Sequence, residues 1–211
     1  MDNYNKYKEI NNNFFDKLIN KSSDEHLAVG QSKISHEKRF LKILDLGNFQ
    51  NSKILDVGCG LGAFYAFLKE KQIMIDYTGY DINEKMLEGA KANYPEIAER
   101  FKHIDIIDTA IENEFDYSIS VGPLNLNMDE KTNYEMTFKL LDNLFKCSKK
   151  GFALSMTSIL SRKKNEATFY YDPKMIIEHI SKYCNNYRID HSYLPHDFTV
   201  FCYKDNFYDS F

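Results

Sequence analysis

The chain of 211 residues has no tryptophan, only four prolines and only four cysteines. The cysteines, Cys59, Cys147, Cys184 and Cys202, are far apart in the sequence and form no Cys-x-x-Cys pair. A zinc ribbon and a thioredoxin-type redox motif both need such a pair, so both are excluded, and we expect no metal site. Free thiols in a reducing cytoplasm account for these residues, so we expect a cytoplasmic protein.

Long apolar runs and an excess of basic residues are also missing. No run approaches 18 apolar residues, and the first six residues are polar, so we expect neither a transmembrane helix nor a signal peptide. The net charge of −4 disfavours a binder of duplex nucleic acid, which normally carries a basic excess. What the chain does contain, 43% hydrophobic and 27% charged residues, is typical of a globular protein with a full core.

Apolar periodicity and turn residues predict an α/β fold. Two N-terminal helices precede alternating strands and helices, which predict a parallel sheet with helices on both faces, and a short final connection predicts an antiparallel hairpin. We expect a single domain over residues 1–211, with 1–46 as a helical cap and 47–204 as the core. The predicted helices cover residues 1–22, 33–46, 63–71, 83–93, 129–149 and 172–184, and the predicted strands cover 53–57, 74–80, 101–104, 115–121, 151–157, 187–193 and 199–203.

The two N-terminal helices carry apolar residues at helical spacing, which predict the faces that pack on the core. Ser32 or Ser35 is the expected N-cap of the second helix. The residues at this spacing are Tyr4, Tyr7, Ile10, Phe14, Leu18 and Ile19 in the first helix, which is otherwise polar, and Ile34, Leu41, Ile43 and Leu44, which supply much of the apolar face of the second.

The strongest local signal is a glycine-rich loop between a predicted strand and a predicted helix. The segment Leu55-Asp-Val-Gly-Cys-Gly-Leu-Gly62 contains three glycines, which let the backbone turn sharply and approach a ligand closely. Asp81 ends the next strand about 20 residues later, the spacing of a carboxylate that binds ribose hydroxyls. The loop and Asp81 together predict a nucleoside ligand at the carboxyl edge of the sheet.

Two nucleoside ligands fit this pattern. Gly58, Gly60 and Ala63 match the dinucleotide fingerprint, which places a pyrophosphate at the loop. Asp56, two residues before the first glycine, would repel a phosphate but suits a ligand with an ammonium group. S-adenosylmethionine (SAM) has such a group, a sulfonium and an adenosine but no phosphate, so Asp56 favours SAM over NAD.

At these residues the sequence resembles class I SAM-dependent methyltransferases, over roughly residues 29–204. The glycine loop is similar to their first motif, Thr78-Gly-Tyr-Asp-Ile82 to their second, and Ile104-Asp-Ile106 to their third. The resemblance implies a doubly wound, Rossmann-like mixed sheet of seven strands with an antiparallel last strand, and an Asp105 that contacts the adenine amino group. The residues predicted to bind SAM within or beside these motifs are Asp56, Gly58, Cys59, Gly60, Asp81, Ile82, Met86, Asp105, Ile106 and Gly122.

Four further segments resemble a bacterial subgroup of small methyltransferases. They are Val29-Gly-Gln-Ser32, Arg39-Phe40, Phe169-Tyr-Tyr-Asp-Pro173 and His191-Ser-Tyr-Leu-Pro-His-Asp-Phe-Thr199. The resemblance implies that Arg39 binds the SAM carboxylate, and the alternative is a surface arginine with a buried stem. Gln31 either contacts the methionine end of SAM or the acceptor, or it is a loop residue whose amide binds neither.

On the acceptor side, His191 is the candidate general base for a hydroxyl acceptor, because its strand should end near the cofactor. A hydrogen-bonded structural histidine is the alternative. Arg162, Lys163 and Lys164, after the fifth strand, form either a solvated loop or a site that attracts an anionic acceptor. The residues predicted to contact the acceptor are Asn125, Tyr170, Tyr171, Tyr193 and His196.

These observations predict an enzyme that moves a methyl group from SAM to an oxygen or nitrogen of a small-molecule, saccharide-linked or phosphate-linked acceptor. The resemblance suggests a place in surface-polysaccharide or small-metabolite modification. RNA and protein acceptors are disfavoured, because the chain is acidic and carries no added binding module. Two alternatives stay open: an NAD(P)-dependent reductase, and a SAM-binding protein without turnover.

Overall fold

The computed structural model describes residues 2–20, 32–109, 111–112 and 114–204, so the predicted site residue Gln31 lies outside the described residues. Within these ranges, no helix combines the length and the apolar character that a membrane span requires. The helices are α1 (Asp2–Ile19), α2 (Lys33–Ile43), α3 (Ala63–Glu70), α4 (Glu84–Asn93), α5 (Glu130–Cys147) and α6 (Pro173–Ile180), with 3-10 helices at Leu44–Leu46 and Pro95–Arg100. The strands are β1 (Ser52–Val57), β2 (Ile75–Asp81), β3 (Phe101–His103), β4 (Phe115–Val121), β5 (Ser148–Thr157), β6 (Tyr187–Asp190) and β7 (Asp197–Tyr203).

The strands form one sheet with the order β3-β2-β1-β4-β5-β7-β6. The first five strands in the chain are parallel, and β7 runs antiparallel to both β5 and β6. The predicted seven-stranded, doubly wound sheet with a C-terminal antiparallel hairpin is therefore confirmed. The strand order reverses between β1 and β4, and sheets of this kind bind ligands at such a reversal.

Both faces of the sheet carry apolar cores, and the central strand β1 contributes to each of them. Ile54 and Leu55 are completely buried but belong to different apolar clusters, because successive strand residues point to opposite faces. Asp56 therefore lies on the same face as Ile54, one residue before the strand ends. This places a buried carboxylate directly under the glycine loop.

Side-chain caps explain where several helices begin. Ser32, Asn83, Asp129 and Asp172 each accept a hydrogen bond from a backbone N–H in the first turn of the helix that follows. The N–H groups of the first helical turn have no partner within the helix, so these caps satisfy donors that would otherwise be left to water. Helix α6 ends at Ile180, four residues before the predicted end, and just beyond it the N–H groups of Lys182 and Tyr183 donate to carbonyls three residues earlier instead of four.

Strand β6 is shorter than predicted and ends at Asp190. The Asp190 carboxylate accepts the backbone N–H of Ser192 at 2.8 Å, an interaction that turns the chain out of the strand. His191 and Tyr193 therefore lie in the connection to β7 and not at the end of a strand.

The buried faces of α1 and α2 also differ from the prediction. In α1, Ile10 and Phe14 are each 40% exposed, whereas the polar Asn11 is buried. In α2, Ile34 and Leu41 are 69% and 50% exposed. These helices face a partly polar cavity and a buried ion pair, so apolar spacing alone points to the wrong face. The residues of α2 that are buried are His36, Arg39, Phe40 and Ile43.

Candidate functional site

A cavity lies at the carboxyl edge of the sheet, where β1, β2, β3 and β4 end side by side. Its volume is about 1080 Å³, including the part of its mouth that is open to solvent. Small-molecule sites are typically clefts with mostly apolar walls and a few polar groups, and this cavity combines apolar and aromatic walls with three carboxylates. The helices that cover it contribute Tyr4, Tyr7, Asn11 and Phe15 from α1, and His36 and Phe40 from α2.

The glycine loop after β1 forms one wall of the cavity. Gly58 and Gly60 have φ angles of +74° and +54°, left-handed conformations that favour glycine. The N–H groups of Gly58 and Cys59 donate to the Tyr80 carbonyl at 2.8 and 3.1 Å, and that of Gly60 donates to Asp81 Oδ2 at 2.8 Å. These donors are used inside the protein, unlike the free N–H groups with which a phosphate-binding loop holds its ligand.

Asp81, at the end of β2, lines the cavity beside this loop. Its Oδ2 accepts the Gly60 N–H, and its Oδ1 accepts the Asn83 N–H at 2.8 Å. Burial raises the pKa of this carboxyl, while the backbone N–H groups around it oppose that rise. Each oxygen retains a further lone pair, so a carboxylate held in this way is able to accept ribose hydroxyls.

Asp56 is buried where the cavity meets the glycine loop. The hydroxyl of Tyr77 donates to its Oδ2 at 2.8 Å. Burial raises the pKa of Asp56 to about 7, the Tyr77 hydrogen bond opposes that rise, and the nearby charge of Asp81 adds to it. A cationic ligand group beside Asp56 would favour its ionised form, whereas an anionic group would be repelled.

Asp105, after β3, lines the far end of the cavity and is held by α1. The Tyr4 hydroxyl donates to its Oδ1 at 2.7 Å, and Lys8 Nζ donates to its Oδ2 at 3.1 Å. The Ile107 N–H also donates to Oδ1, at 3.0 Å. Asp105, which is predicted to bind the adenine amino group, therefore also holds α1 over the cavity.

The charges around the cavity suit a cationic ligand. Among the described residues that line it, Asp56, Asp81 and Asp105 are acidic, and none is a lysine or an arginine. A pyrophosphate would meet three carboxylates without a strongly basic partner, whereas SAM brings a sulfonium and an ammonium. The residues present fit SAM and do not fit a dinucleotide.

A family model described as a methyltransferase domain matches residues 48–209. The chain belongs to the class I SAM-dependent methyltransferases. Its cofactor is SAM, as predicted, and membership of this family sets the reductase alternative aside. The methyltransferase is 29% identical over 160 residues to Rv1506c of Mycobacterium tuberculosis, whose name assigns it provisionally to the methyltransferases, and the match covers 72% of this chain and 92% of that protein.

Solved methyltransferase structures share the fold at low sequence identity. The magnesium protoporphyrin IX methyltransferase ChlM of Synechocystis PCC 6803, with bound SAM, has a TM-score of 0.59 at 15% identity, over 87% of this chain and 84% of that chain. A SAM-dependent methyltransferase of Mesorhizobium loti has a TM-score of 0.61 at 14% identity, over 81% of this chain and 100% of that chain.

Most of the predicted cofactor residues of this methyltransferase line the one cavity. Arg39 does not line it, and Gln31 is outside the described residues. The individual contacts with SAM stay predictions, but the elements that carry them converge on a single site. The predicted residues that line the cavity are Asp56, Gly58, Cys59, Gly60, Asp81, Ile82, Met86, Asp105, Ile106 and Gly122.

Arg39 forms a buried ion pair away from the cavity wall. Its Nε and Nη2 each lie 2.6 Å from Asp197 Oδ2, and the two side chains are 8% and 1% exposed. This pair joins α2 to the first residue of β7. The ion pair gives Arg39 a structural role, but its Nη1 is buried and has no hydrogen-bond partner among the described residues, so the predicted bond to the SAM carboxylate stays a prediction.

Two tyrosines predicted to contact the acceptor are packing residues. Tyr171 is 1% exposed, and its hydroxyl donates to the Leu124 carbonyl at 2.6 Å, so it belongs to the core. The Tyr193 hydroxyl lies 2.8 Å from both Ser155 Oγ and Thr199 Oγ1, where it joins β5 to β7. Neither tyrosine lines the cofactor cavity.

The other residues predicted to contact the acceptor also lie outside the wall of the cavity. Asn125 Oδ1 accepts a hydrogen bond from Thr157 Oγ1 at 3.2 Å, and the Tyr170 hydroxyl accepts the Asn165 N–H at 3.1 Å. The side chain of His196 is 40% exposed. Asn125 and Tyr170 support the loops after β4 and β5, and none of the three residues lines the cavity, so their contacts with the acceptor stay predictions.

His191 is not among the residues that line the cavity either. Its Nε2 is buried and has no hydrogen-bond partner among the residues that the structure describes. A general base must reach its proton at roughly 2.6–3.2 Å or through one water, and the structure does not place the His191 side chain on the wall of the cavity. The role of His191 as the base therefore stays a prediction.

Sequence reasoning missed the residues of α1 and α2 that line the cavity. Tyr4, Tyr7, Asn11 and Phe15 recur every three or four residues and so share one helix face, but the polar Asn11 interrupts the apolar pattern. His36 lies one turn before Phe40 on α2 and shares its face. A search for aromatic and polar residues on a common helix face would have found both sets.

Proposed function

We propose that this methyltransferase transfers a methyl group to an oxygen or nitrogen of a small molecule, with saccharide-linked and phosphate-linked compounds as the first classes to test. The observation that carries the proposal is the cover that α1 forms over the cavity. The Tyr7 hydroxyl donates to the Pro123 carbonyl at 3.1 Å and so ties α1 to the segment after β4. A cavity that a helix covers admits a small molecule more readily than a folded RNA or protein.

The acceptor end of the cavity is the wall that follows β4. Val121, Gly122, Pro123 and Leu124 line this wall, and Tyr7 faces it from α1. When bound, SAM supplies a methyl group on a sulfonium, which is already activated for transfer. The protein's residues would align the acceptor with that methyl group and exclude water, which is how most of the acceleration in such a site arises.

An anionic acceptor is supported by the loop between β5 and α6. Arg162, Lys163 and Lys164 are exposed there, and β5 ends at the same edge of the sheet as the strands around the cavity. Exposed cations at the edge of a site attract anionic molecules and raise their rate of encounter. Among the neighbours in fold, ChlM is named for a small-molecule acceptor, magnesium protoporphyrin IX, which is consistent with the size argument.

A screen of acceptors tests the proposal. The full chain is incubated with SAM labelled in its methyl group and with separate pools of sugar nucleotides, phosphorylated sugars, small alcohols, small amines, bulk RNA and bulk protein. We expect label in a small-molecule pool. Asp81→Ala is the control, because loss of charge-assisted hydrogen bonds to the ribose should weaken SAM by about tenfold or more and lower turnover at limiting SAM.

Label that enters RNA or protein but no small-molecule pool would contradict the proposal. The anionic class has its own control, a variant in which Arg162, Lys163 and Lys164 are all alanine. It should raise KM for an anionic acceptor severalfold, more at low than at high salt, with the Kd of SAM unchanged.

A further inference from the structure

A β-turn directly after β5 carries two aliphatic side chains at its exposed tip. The Ser161 N–H donates to the Ser158 carbonyl at 2.9 Å and closes the turn. The central residues of the turn, Ile159 and Leu160, are 42% and 66% exposed, whereas the two serines are buried. Turns on a protein surface are dominated by Gly, Pro, Asn, Asp and Ser, so turn formation does not explain two adjacent aliphatic residues at this tip.

Hydrogen bonds from the backbone of the turn hold it in place. The Ser158 N–H donates to the His196 carbonyl at 2.8 Å, and the Ile159 N–H donates to the Tyr171 carbonyl at 2.8 Å. The Leu160 N–H donates to Ser158 Oγ at 3.1 Å. The tip is therefore ordered before it meets a partner, which lowers the entropic cost of binding.

Three consecutive cations, Arg162, Lys163 and Lys164, follow the turn. All three are exposed, and none of them forms an ion pair with another residue that the structure describes. Within residues 158–170, Glu166 is the only acidic residue. The segment therefore combines an apolar tip with a local excess of positive charge, although the whole chain has a net charge of −4.

This segment lies outside the cofactor cavity but at the same edge of the sheet. Strand β5 is parallel to β4 and ends at Thr157, so the turn begins at the carboxyl edge, where the cavity lies. Neither the aliphatic pair nor the three cations line the cavity. The cofactor site therefore does not account for the exposed aliphatic residues.

The chemistry of a partner must account for both features of the segment. A free anionic molecule would pair with the cations but would bury neither Ile159 nor Leu160. The interface of an anionic lipid bilayer takes up apolar side chains and also attracts adjacent lysines and arginines. Because the chain is acidic as a whole, such a surface would attract this segment and repel much of the remaining protein, which orients the molecule.

We propose that residues 158–164, the docking turn, bind the surface of an anionic lipid bilayer and bring the carboxyl edge of the sheet to it. The aliphatic pair enters the boundary between headgroups and acyl chains, and the three cations contact headgroup phosphates. Two short side chains bury less apolar surface than one fatty acyl chain, whose binding is itself reversible, so the association is reversible. The inference goes beyond the proposed function and does not depend on the identity of the acceptor.

Co-sedimentation of the full chain with lipid vesicles tests the inference. We expect binding to vesicles of equal parts phosphatidylglycerol and phosphatidylcholine, weaker binding at high salt, and much weaker binding to phosphatidylcholine alone. Lys163→Ala should lower the association constant for the mixed vesicles by about fivefold. Leu160→Ser, which leaves the charge unchanged, should lower it by about tenfold.

Two variants at the opposite edge of the sheet are the matched controls. Met74, directly before β2, is 66% exposed, as Leu160 is, so Met74→Ser removes an equally exposed apolar side chain. Lys91→Ala removes an exposed cation near the end of α4. Both controls should bind the mixed vesicles as the wild type does. The Kd of SAM should be unchanged in Leu160→Ser, because Leu160 does not line the cavity.

A wild type that does not bind the mixed vesicles would overturn the inference, and so would equal binding by the wild type and Leu160→Ser. If Lys163→Ala alone weakens binding, the cations serve a free anion and the docking turn is not a membrane contact. Equal weakening by Met74→Ser, or equally strong binding of the wild type to beads coated with polyglutamate, would also overturn it. If Leu160→Ser does not fold, Leu160→Ala takes its place.

The vesicle assay contains no acceptor, and the acceptor screen contains no lipid. An unsuccessful acceptor screen therefore leaves the result with vesicles valid, and a failure to bind vesicles leaves the proposed function standing.

Discussion

The buried carboxylates of Asp197 and Asp56 differ in whether a cation of the protein is paired with them. Asp197 receives two nitrogen atoms of Arg39 and is neutralised within the protein. Asp56 receives the neutral hydroxyl of Tyr77 and has no ion-pair partner in the part of the chain that the structure describes. A buried carboxylate without a cation binds its proton more tightly, and we expect SAM to supply the missing cation at Asp56.

The Asp56 carboxyl predicts a pH dependence of SAM binding. Its pKa of about 7 means that SAM must displace a proton below that pH, so affinity should rise with pH up to about 7 and then level off. Asp56→Asn should remove this rise, and the difference between the two proteins isolates the contribution of Asp56 from those of other titrating groups. Calorimetry from pH 5.5 to 8 in buffers of different ionisation enthalpy measures both affinity and proton release.

The raised pKa of Asp56 also affects the stability of the protein without SAM. Here the pH dependence is reversed, because stability falls as pH rises, whereas SAM affinity rises. Because the pKa of Asp56 is higher in the folded chain than its usual value, the folded state holds the proton more tightly. The contribution of Asp56 to the free energy of unfolding is therefore present at low pH and is lost as pH rises towards 7. Identical pH profiles of SAM affinity in the wild type and in Asp56→Asn would contradict the binding prediction, and identical pH profiles of the free energy of unfolding in urea would contradict the stability prediction.

The ion pair between Arg39 and Asp197 predicts a large stability effect. Arg39→Met leaves a carboxylate that is 1% exposed without its cation, which should lower the free energy of unfolding by about 3–5 kcal/mol. Arg100→Met is the matched control: its ion pair with Asp76 is about half exposed, so the cost should be about 1 kcal/mol or less. Urea denaturation measures both. Equal costs would show that the buried pair contributes no more than the exposed pair.

Helix α1 is the element that turns an open sheet edge into a covered site. Lys8 ties it to Asp105 after β3, and Asp16 ties it to Asn83 after β2, at 2.9 Å. Because these ties are polar and partly exposed, α1 should open more readily than the helices that are packed on the sheet. SAM entry and release then depend on how firmly this single helix is held.

Asp16→Ala tests the role of α1 by removing its bonds to Asn83 and Lys85. We expect the amides of α1 to exchange hydrogen about tenfold faster than in the wild type, with α5 unchanged, because two hydrogen bonds that resist opening are lost. S-adenosylhomocysteine should slow the exchange of α1 in both proteins. Asn13→Ala, at an exposed position of the same helix, is the control. Exchange of α1 that no ligand slows would contradict a covering role.

At the scale of the whole molecule, a ligand held between the sheet and α1 stabilises only the folded state. At about 100 times its Kd, SAM should add about 2.7 kcal/mol to the free energy of unfolding. For a chain of 211 residues this corresponds to a rise in Tm of roughly 5–10 °C. NADH, whose pyrophosphate would face the carboxylates of the cavity, should leave Tm unchanged. A larger shift with NADH than with SAM would overturn the charge argument for the site.

By itself, the sequence determined the order of strands and helices, the glycine loop and the carboxylates after β1, β2 and β3, because alternation, glycine turns and short spacings are local properties of the chain. The tertiary structure alone decided the partners of Arg39, His191 and Tyr171 and the placement of His36. Arg39 and Asp197 are 158 residues apart, and no local pattern shows that they meet. For the same reason, apolar spacing pointed Ile10 and Phe14 inward, whereas the element that α1 faces is a partly polar cavity, and burial follows the surface that a helix meets as well as the apolar residues that it carries.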